Sequence, residues 1–233
     1  MSRISLSVYR THWPHIGAVL ALGIGGATAL IARKLTKPQV FSALNFAALL
    51  IHQYEEYQAP GYFPGQFNRG LFKSDSPYNY PLNSDIAMWI NTAIAYPFYL
   101  APVVFPRTKW LGLSPVIFGI AQAVAHGVIF PLRGRAAGSA YTYSPGFLAS
   151  LLLHVPLGIS YIRAVQEEEP IDRAEWVKAV AYTVAFAALG VAAPNVLLRD
   201  KQSPYAFTEA QMGPYNTEDR PLPSETETGA VEG

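Results

Sequence analysis

Long apolar stretches dominate this chain and constrain its fold more than any other feature of the sequence. A helix that crosses the hydrocarbon core of a bilayer needs about 20 mostly apolar residues. Six stretches approach that length, at about residues 16–32, 38–57, 86–104, 110–130, 145–162 and 176–198. The sequence therefore predicts an all-α fold, a polytopic bundle of about six transmembrane helices in an integral membrane protein.

The composition supports this class and excludes several others. Hydrophobic residues make up 51% of the chain and charged residues only 14%, whereas about 25% of the residues in a soluble domain are charged. A net charge of +1 without a basic face argues against nucleic-acid binding. The absence of cysteine excludes disulfides and thiolate metal sites. The partners expected from the composition are the lipid bilayer and a lipophilic small molecule.

Charge patterns divide the chain into a transmembrane domain over residues 1–200 and a tail over residues 201–233. The tail carries six acidic and two basic residues, so we expect it to be disordered and exposed to solvent. The loops on the two sides of the bundle carry nearly equal numbers of Lys and Arg, so they indicate no membrane orientation. The first stretch could also be read as a cleaved signal peptide, since Arg3 and Arg10 precede it.

The connection after the second helix, residues 58–82, is long and rich in aromatic residues and proline. Aromatic side chains are enriched where a membrane meets water, and this favours an interfacial loop. Long connections in compact domains are also often lids over a site. The sequence leaves both interpretations open.

Ionisable residues in apolar helices are costly and often mark a functional site. The second helix contains His52, Glu55 and Glu56, and residues three and four positions apart lie on one face of a helix. Asn45 extends the same face by two turns. This face is the strongest indication of a site in the sequence.

Polar residues on the later helices are predicted to meet this face. His126 lies in the fourth helix with Gln122 one turn before it, His154 lies in the fifth helix, and Asp85 begins the third. Because successive helices alternate in direction, these positions fall on the same side of the membrane as His52. We therefore predict a site with His52, Glu55, Glu56, His126 and His154 as metal ligands, Glu55, Glu56 and His126 as catalytic residues, and Asn45, Asp85 and Gln122 as supporting residues.

The same residues resemble the HXXEE-domain family of small integral membrane proteins. His52-Gln53-Tyr54-Glu55-Glu56 matches the motif that names the family. The family's later Asn-x-x-x-His motif corresponds to Gln122 and His126, with a longer amide here, and its Tyr-x-Pro-Gly segment corresponds to residues 143–146. The resemblance covers about residues 40–165. It adds Tyr143 to the supporting residues and implies no established reaction.

Two imidazoles and a carboxylate form a ligand set that suits iron, zinc or manganese. The predicted function is a metal-assisted membrane enzyme, of hydrolase or oxygenase type, acting on a lipophilic substrate within one half of the bilayer. One alternative is a metal-free acid–base lipid isomerase or cyclase, because adjacent desolvated carboxylates separate in pKa. The other is a non-enzymatic proton-relay or lipid-binding module.

Overall fold

Six long helices build the structure, a computed structural model that describes residues 6–136, 138 and 142–216. No strand occurs among these residues, so the predicted all-α class is confirmed. The helices are α1 (Leu6–Lys34), α2 (Lys37–Tyr57), α3 (Ser84–Val104), α4 (Lys109–Ala136), α5 (Phe147–Glu168) and α6 (Arg173–Leu197).

Helix α2 lies in the middle of the bundle and contacts α1, α3, α4 and α5. The other five long helices are long and apolar enough to cross a membrane. Helix α2 has a similar length, but its polar residues lower its mean hydropathy. These residues are buried because neighbouring helices surround α2.

The outer helices present large apolar side chains on their exposed faces. Leu22 and Leu30 of α1 are 75% and 89% exposed, and Leu189 and Leu197 of α6 are 72% and 78% exposed. Soluble monomers rarely expose contiguous apolar surface on this scale. The outer surface therefore suits contact with lipid.

Three helix boundaries differ clearly from the sequence prediction. Helix α1 is already helical at Leu6, the first described residue, rather than from near Ile16, α4 continues to Ala136 rather than ending near Phe130, and α5 continues to Glu168 rather than ending near Ile162. The added turns contain basic residues, such as Arg10 and Arg133. Apolarity marks only the part of a helix that suits hydrocarbon, so it underestimates helices that extend beyond that part.

Four of the long helices contain a π-helical segment. These segments are Ile90–Ile94 in α3, Ala125–Ile129 in α4, Ser150–His154 in α5 and Phe186–Ala192 in α6. A proline follows each of them within three residues, at Pro97, Pro131, Pro156 and Pro194.

The prolines explain the position of these segments. A helical proline clashes with the carbonyl four residues earlier. That carbonyl belongs to Ala93, Gly127, Leu152 or Gly190, each of which lies inside its π-helical segment. Widening the helix relieves the clash. Pro115 lies in regular α-helix, so proline contributes to the widening but is not sufficient for it.

The connection between α2 and α3, residues 58–83, folds across the end of the bundle, and we name it the lid loop. Phe63 of this loop is buried, and its ring packs against Tyr57, Phe67 and Phe130. Phe72 is 54% exposed. Phe63 thus covers one end of the bundle while Phe72 lies at the surface, and both interpretations of this loop stay predictions.

The C-terminal segment, residues 201–216, packs against the lid loop and the start of α3. Phe207, Met212 and Tyr215 are buried, and the backbone N–H of Phe207 donates to the carbonyl of Tyr78 over 2.7 Å. The sequence predicted a disordered tail from Lys201 onwards. Residues 201–216 depart from that prediction because their apolar side chains enter the core, and residues 217–233 lie outside the described residues.

We expect Gly65→Ala to destabilise the packing between the lid loop and the C-terminal segment. An added Cβ would lie 2.4 Å from the carbonyl oxygen of Met212, and overpacking of this kind typically costs about 1–3 kcal/mol. Thermal unfolding in detergent, followed by circular dichroism, measures the loss. The control is Gly25→Ala in α1, where nothing lies within 4 Å of the added atom. An equal melting temperature for the two variants would contradict this packing.

Candidate metal centre

His52, Glu56 and His126 form a buried triad near one end of the bundle. Helix α2 supplies the first two from one face, and the π-helical segment of α4 supplies the third. Glu56 Oε1 lies 3.4 Å from His52 Nε2 and 3.3 Å from His126 Nε2. The three potential ligand atoms all lie within 4.8 Å of one another. The structure therefore brings together three of the five predicted metal ligands.

Hydrogen bonds define which nitrogen of His126 carries the proton. Ser144 Oγ donates to Gln66 Oε1 over 2.6 Å and so must accept from His126 Nδ1, which is 2.9 Å away. The amide of Gln66 is oriented by its Nε2, which donates to the carbonyl of Tyr143. His126 is therefore protonated on Nδ1, and its Nε2 faces Glu56.

His52 has the same arrangement on the opposite side of the triad. Ser150 Oγ donates to the carbonyl of Gly146 over 2.7 Å and accepts from His52 Nδ1 over 3.0 Å. Neither His52 Nε2 nor His126 Nε2 has a hydrogen-bond partner among the described residues. The Nε2 atoms of two imidazoles thus converge on a carboxylate without a hydrogen bond that satisfies either of them. A histidine that ligates a metal typically donates its other N–H in this way.

The spacing of the triad also fits a metal ion. Charge-assisted hydrogen bonds between nitrogen and oxygen are about 2.7–2.9 Å long, so the separations of 3.3 and 3.4 Å are too long for them. Two ligand atoms in a tetrahedral zinc site, each about 2.0–2.1 Å from the ion, are about 3.3–3.4 Å apart. The residues present therefore suit a small divalent cation.

Glycine is required at position 146, where the chain turns into α5. Its φ of +100° lies in the left-handed region that favours glycine. An added Cβ would lie 2.7 Å from Cε1 of His52 and 2.9 Å from Cε1 of His126. Because Gly146 has no side chain, the rings of His52 and His126 can lie close to the turn and to each other.

Glu55 faces away from the triad and caps the start of α5. Its carboxylate accepts from the backbone N–H of Ala149 over 2.7 Å and of Leu148 over 3.2 Å, and from the hydroxyl of Tyr143. Burial, and then the Glu55 carboxylate, raise the pKa of the Tyr143 hydroxyl, which stays protonated and donates. Three donors thus already engage the oxygens of Glu55, which is not part of the group whose ligand atoms converge; its predicted ligand and catalytic roles stay predictions.

His154 and Asn45 form a separate buried pair beside the triad. His154 Nδ1 donates to Asn45 Oδ1 over 2.7 Å, and the His154 ring lies 5.8 Å from the ring of His52. His154 is not part of the group whose ligand atoms converge. The Nε2 atom of His154 is also buried without a hydrogen-bond partner among the described residues, and its predicted ligand role stays a prediction.

Asp85 lies outside the site. Arg10 Nε donates to Asp85 Oδ1 over 2.6 Å, and the side chain of Asn83 caps α3. The predicted supporting role of Asp85 is therefore corrected: it fastens α1 to α3.

An apolar cavity of about 200 Å³ adjoins the triad. His52, Glu56 and His126 form part of its wall, and most of the remaining lining is apolar. Its other polar members are Tyr57, Asn91, Gln122 and Asn195. Gln122 was predicted as a supporting residue, whereas the other three were not predicted as site residues. Both asparagines are isolated amides in apolar stretches, and this is a signal that could have identified them.

The fold and the triad together define an all-helical protein with a buried histidine–glutamate centre beside an apolar cavity. Residues 43–161, just over half of the chain, match the family described as "Protein of unknown function with HXXEE motif". The chain belongs to this family. Comparisons with curated proteins and with solved structures gave no match.

The two adjacent glutamates should respond differently to substitution in protein treated with a chelator. Glu55→Gln is expected to reduce the free energy of unfolding by about 1–2 kcal/mol, because a charged cap at a helix N-terminus is lost. Glu56→Gln should be neutral or stabilising, because an amide N–H can donate to an imidazole lone pair. Thermal unfolding of both variants measures the difference. A larger loss for Glu56→Gln would contradict the assignment.

Proposed function

We propose that this protein is an integral membrane enzyme that depends on one metal ion, bound by His52, Glu56 and His126, and acts on a lipophilic substrate. The convergence of two unpartnered Nε2 atoms and a carboxylate at the wall of an apolar cavity carries the proposal. Five helices of sufficient length and apolarity, with exposed leucines on the outer ones, support location in a membrane.

The ligand set suits zinc, iron and manganese, and the two nitrogen–oxygen separations of 3.3 and 3.4 Å match those of a tetrahedral zinc site. Catalytic zinc sites typically have three protein ligands and one open position. Such an ion, when bound, acts as a Lewis acid and lowers the pKa of a coordinated water. Of the two enzyme types indicated by the sequence, this favours a hydrolase.

Residues around the triad have separate roles in this proposal. Ser144 and Ser150 orient the two imidazoles by accepting from Nδ1. The hydroxyl of Tyr57 accepts from Asn91 Nδ2 over 3.3 Å, so its own proton is available to a substrate oxygen in the cavity. The lid loop excludes water from this side, since the ring of Phe63 lies 5.3 Å from the ring of His126.

The size of the cavity restricts what can react. Its volume of about 200 Å³ is below the roughly 300–1,000 Å³ of pockets that enclose a drug-sized ligand. The cavity therefore accepts a slender molecule or one segment of a lipid. The rest of a longer substrate would have to lie outside the cavity.

Elemental analysis of the purified protein tests the metal centre. We expect about one equivalent of zinc, iron or manganese in the wild type and its loss in His52→Ala, His126→Ala and Glu56→Gln. His154→Ala is the matched control and should keep the metal, because His154 donates to Asn45 outside the triad. Folded wild type without metal after reloading would refute the proposal. The metal-free acid–base enzyme and the proton-relay or lipid-binding module would then be the remaining hypotheses.

The π-helical segment of α4 should be required for metal affinity. Pro131→Ala removes the clash with the carbonyl of Gly127, so the segment can return to regular helix and rotate His126 away from Glu56. We expect metal affinity to fall at least tenfold, as is typical when a residue that orients a metal ligand is replaced. Pro115→Ala in the same helix is the control and should leave the affinity unchanged. Equal affinities for the two variants, measured by competition with a chelator, would contradict this role.

A further inference from the structure

The cavity beside the triad is open on one side, between α4 and α6. Its lining residues from α2 are buried, as are most of those from α3. The lining residues that are partly exposed lie mainly on the other two helices: Phe118, Gln122 and Phe130 on α4, and Ala187, Val191 and Asn195 on α6. Access to the triad is therefore lateral, through the gap between these helices.

The packing of the two helices explains this gap. Close contact between α4 and α6 is concentrated in their N-terminal halves, Lys109–Val124 against Arg173–Ala185. The C-terminal halves flank the cavity and carry exposed apolar side chains, including Leu132 at 59% and Val196 at 57% exposure. In a bilayer these side chains contact acyl chains. A molecule entering here would come from the lipid phase.

Asn195 lies at this opening, and the oxygen of its side-chain amide accepts no hydrogen bond from the described residues. Its Nδ2 donates to the carbonyl of Val191 over 2.9 Å. Because a carbonyl accepts only from a donor, this bond distinguishes the amide nitrogen from the amide oxygen of Asn195. Its Oδ1 is buried and has no hydrogen-bond partner among the described residues. Buried polar atoms in folded proteins nearly always have a partner. A hydrogen-bond donor on a bound ligand would satisfy this atom.

The charge of the side chains that line the cavity further restricts the class of ligand that it can bind. No lysine or arginine lines it, whereas Glu56 does. No described side chain at this wall would pair with an anionic group such as a carboxylate or phosphate, and such a group has no hydrogen to donate to Asn195 Oδ1. A neutral group that donates a hydrogen bond fits both Asn195 and the surrounding apolar side chains.

We propose that the ligand is a single-chain lipid alcohol that enters from the bilayer between α4 and α6, and that Asn195 selects it by accepting the hydrogen bond of its hydroxyl. This inference rests on the proposed function for any reaction of the ligand, but binding itself requires no metal. Asn195 is thus a specificity-determining residue, and Ala187 lies on the entry route.

Equilibrium binding to protein in lipid nanodiscs tests the recognition step. The probes are radiolabelled 1-dodecanol and, as a competitor that lacks the donor, dodecyl methyl ether. We expect the wild type to bind the alcohol about three- to tenfold more tightly than the ether, as one net hydrogen bond implies. Asn195→Leu should lose this preference. Val196→Leu, at an exposed position that does not line the cavity, should keep it.

Two adjacent alanines of α6 test the entry route. Ala187 lines the cavity, whereas Ala188 does not and is exposed. Ala187→Trp should weaken binding of both probes at least tenfold, and Ala188→Trp should bind them as the wild type does. Ala187→Phe replaces the first variant if that variant does not fold.

Several results would overturn the inference. Wild type that binds neither probe, or binds them equally, refutes recognition of the hydroxyl, as does a retained preference in Asn195→Leu. Unchanged binding in the folded Ala187 variant refutes lateral entry. Metal content is measured in the same samples, so wild type without metal but with a preference for the alcohol refutes only the proposed function.

Discussion

The structure depends on how α2 places two adjacent carboxylates inside an apolar bundle. A buried charge is very unfavourable unless it is paired or hydrogen-bonded, and the two glutamates differ in how far the protein itself meets this requirement. Glu55 accepts from the first backbone N–H groups of α5, whereas Glu56 faces His52 and His126. One carboxylate thus fixes the position of a neighbouring helix, and the other is left for a cation. The turn into α5 then orients both imidazoles through Ser144 and Ser150.

Helix geometry determines where the remaining site residues point. Four helices widen into π-helical segments just before a proline, and these segments carry His126 and Asn91 and contribute further lining of the cavity at Val191. Such segments in α-helices occur frequently at functional sites. A local steric effect contributes to them here, since a proline ring clashes with the carbonyl four residues earlier. The same prolines that interrupt regular helix therefore shape the site.

The site is closed at the end of the bundle and open at its side. The lid loop covers the triad with Phe63, and the buried Met212 of the C-terminal segment packs behind Gly65 in that loop. Between α4 and α6 the cavity adjoins apolar surface instead. This arrangement is what an enzyme for a lipid-dissolved substrate would need, because water is kept from one side while the other contacts acyl chains.

The sequence by itself determined the helical class and the approximate positions of six helices, and it indicated His52, Glu56 and His126, which the structure brings together, because apolar length and ionisable residues in apolar helices are local signals. Only the tertiary structure showed that Glu56 and Glu55 face different partners. It also paired His154 with Asn45 and Asp85 with Arg10, and it placed Phe207 in the core. Each of these outcomes is a choice of partner between residues far apart in the chain. Helical periodicity specifies the face on which a side chain lies but not which distant donor, acceptor or apolar surface will meet it.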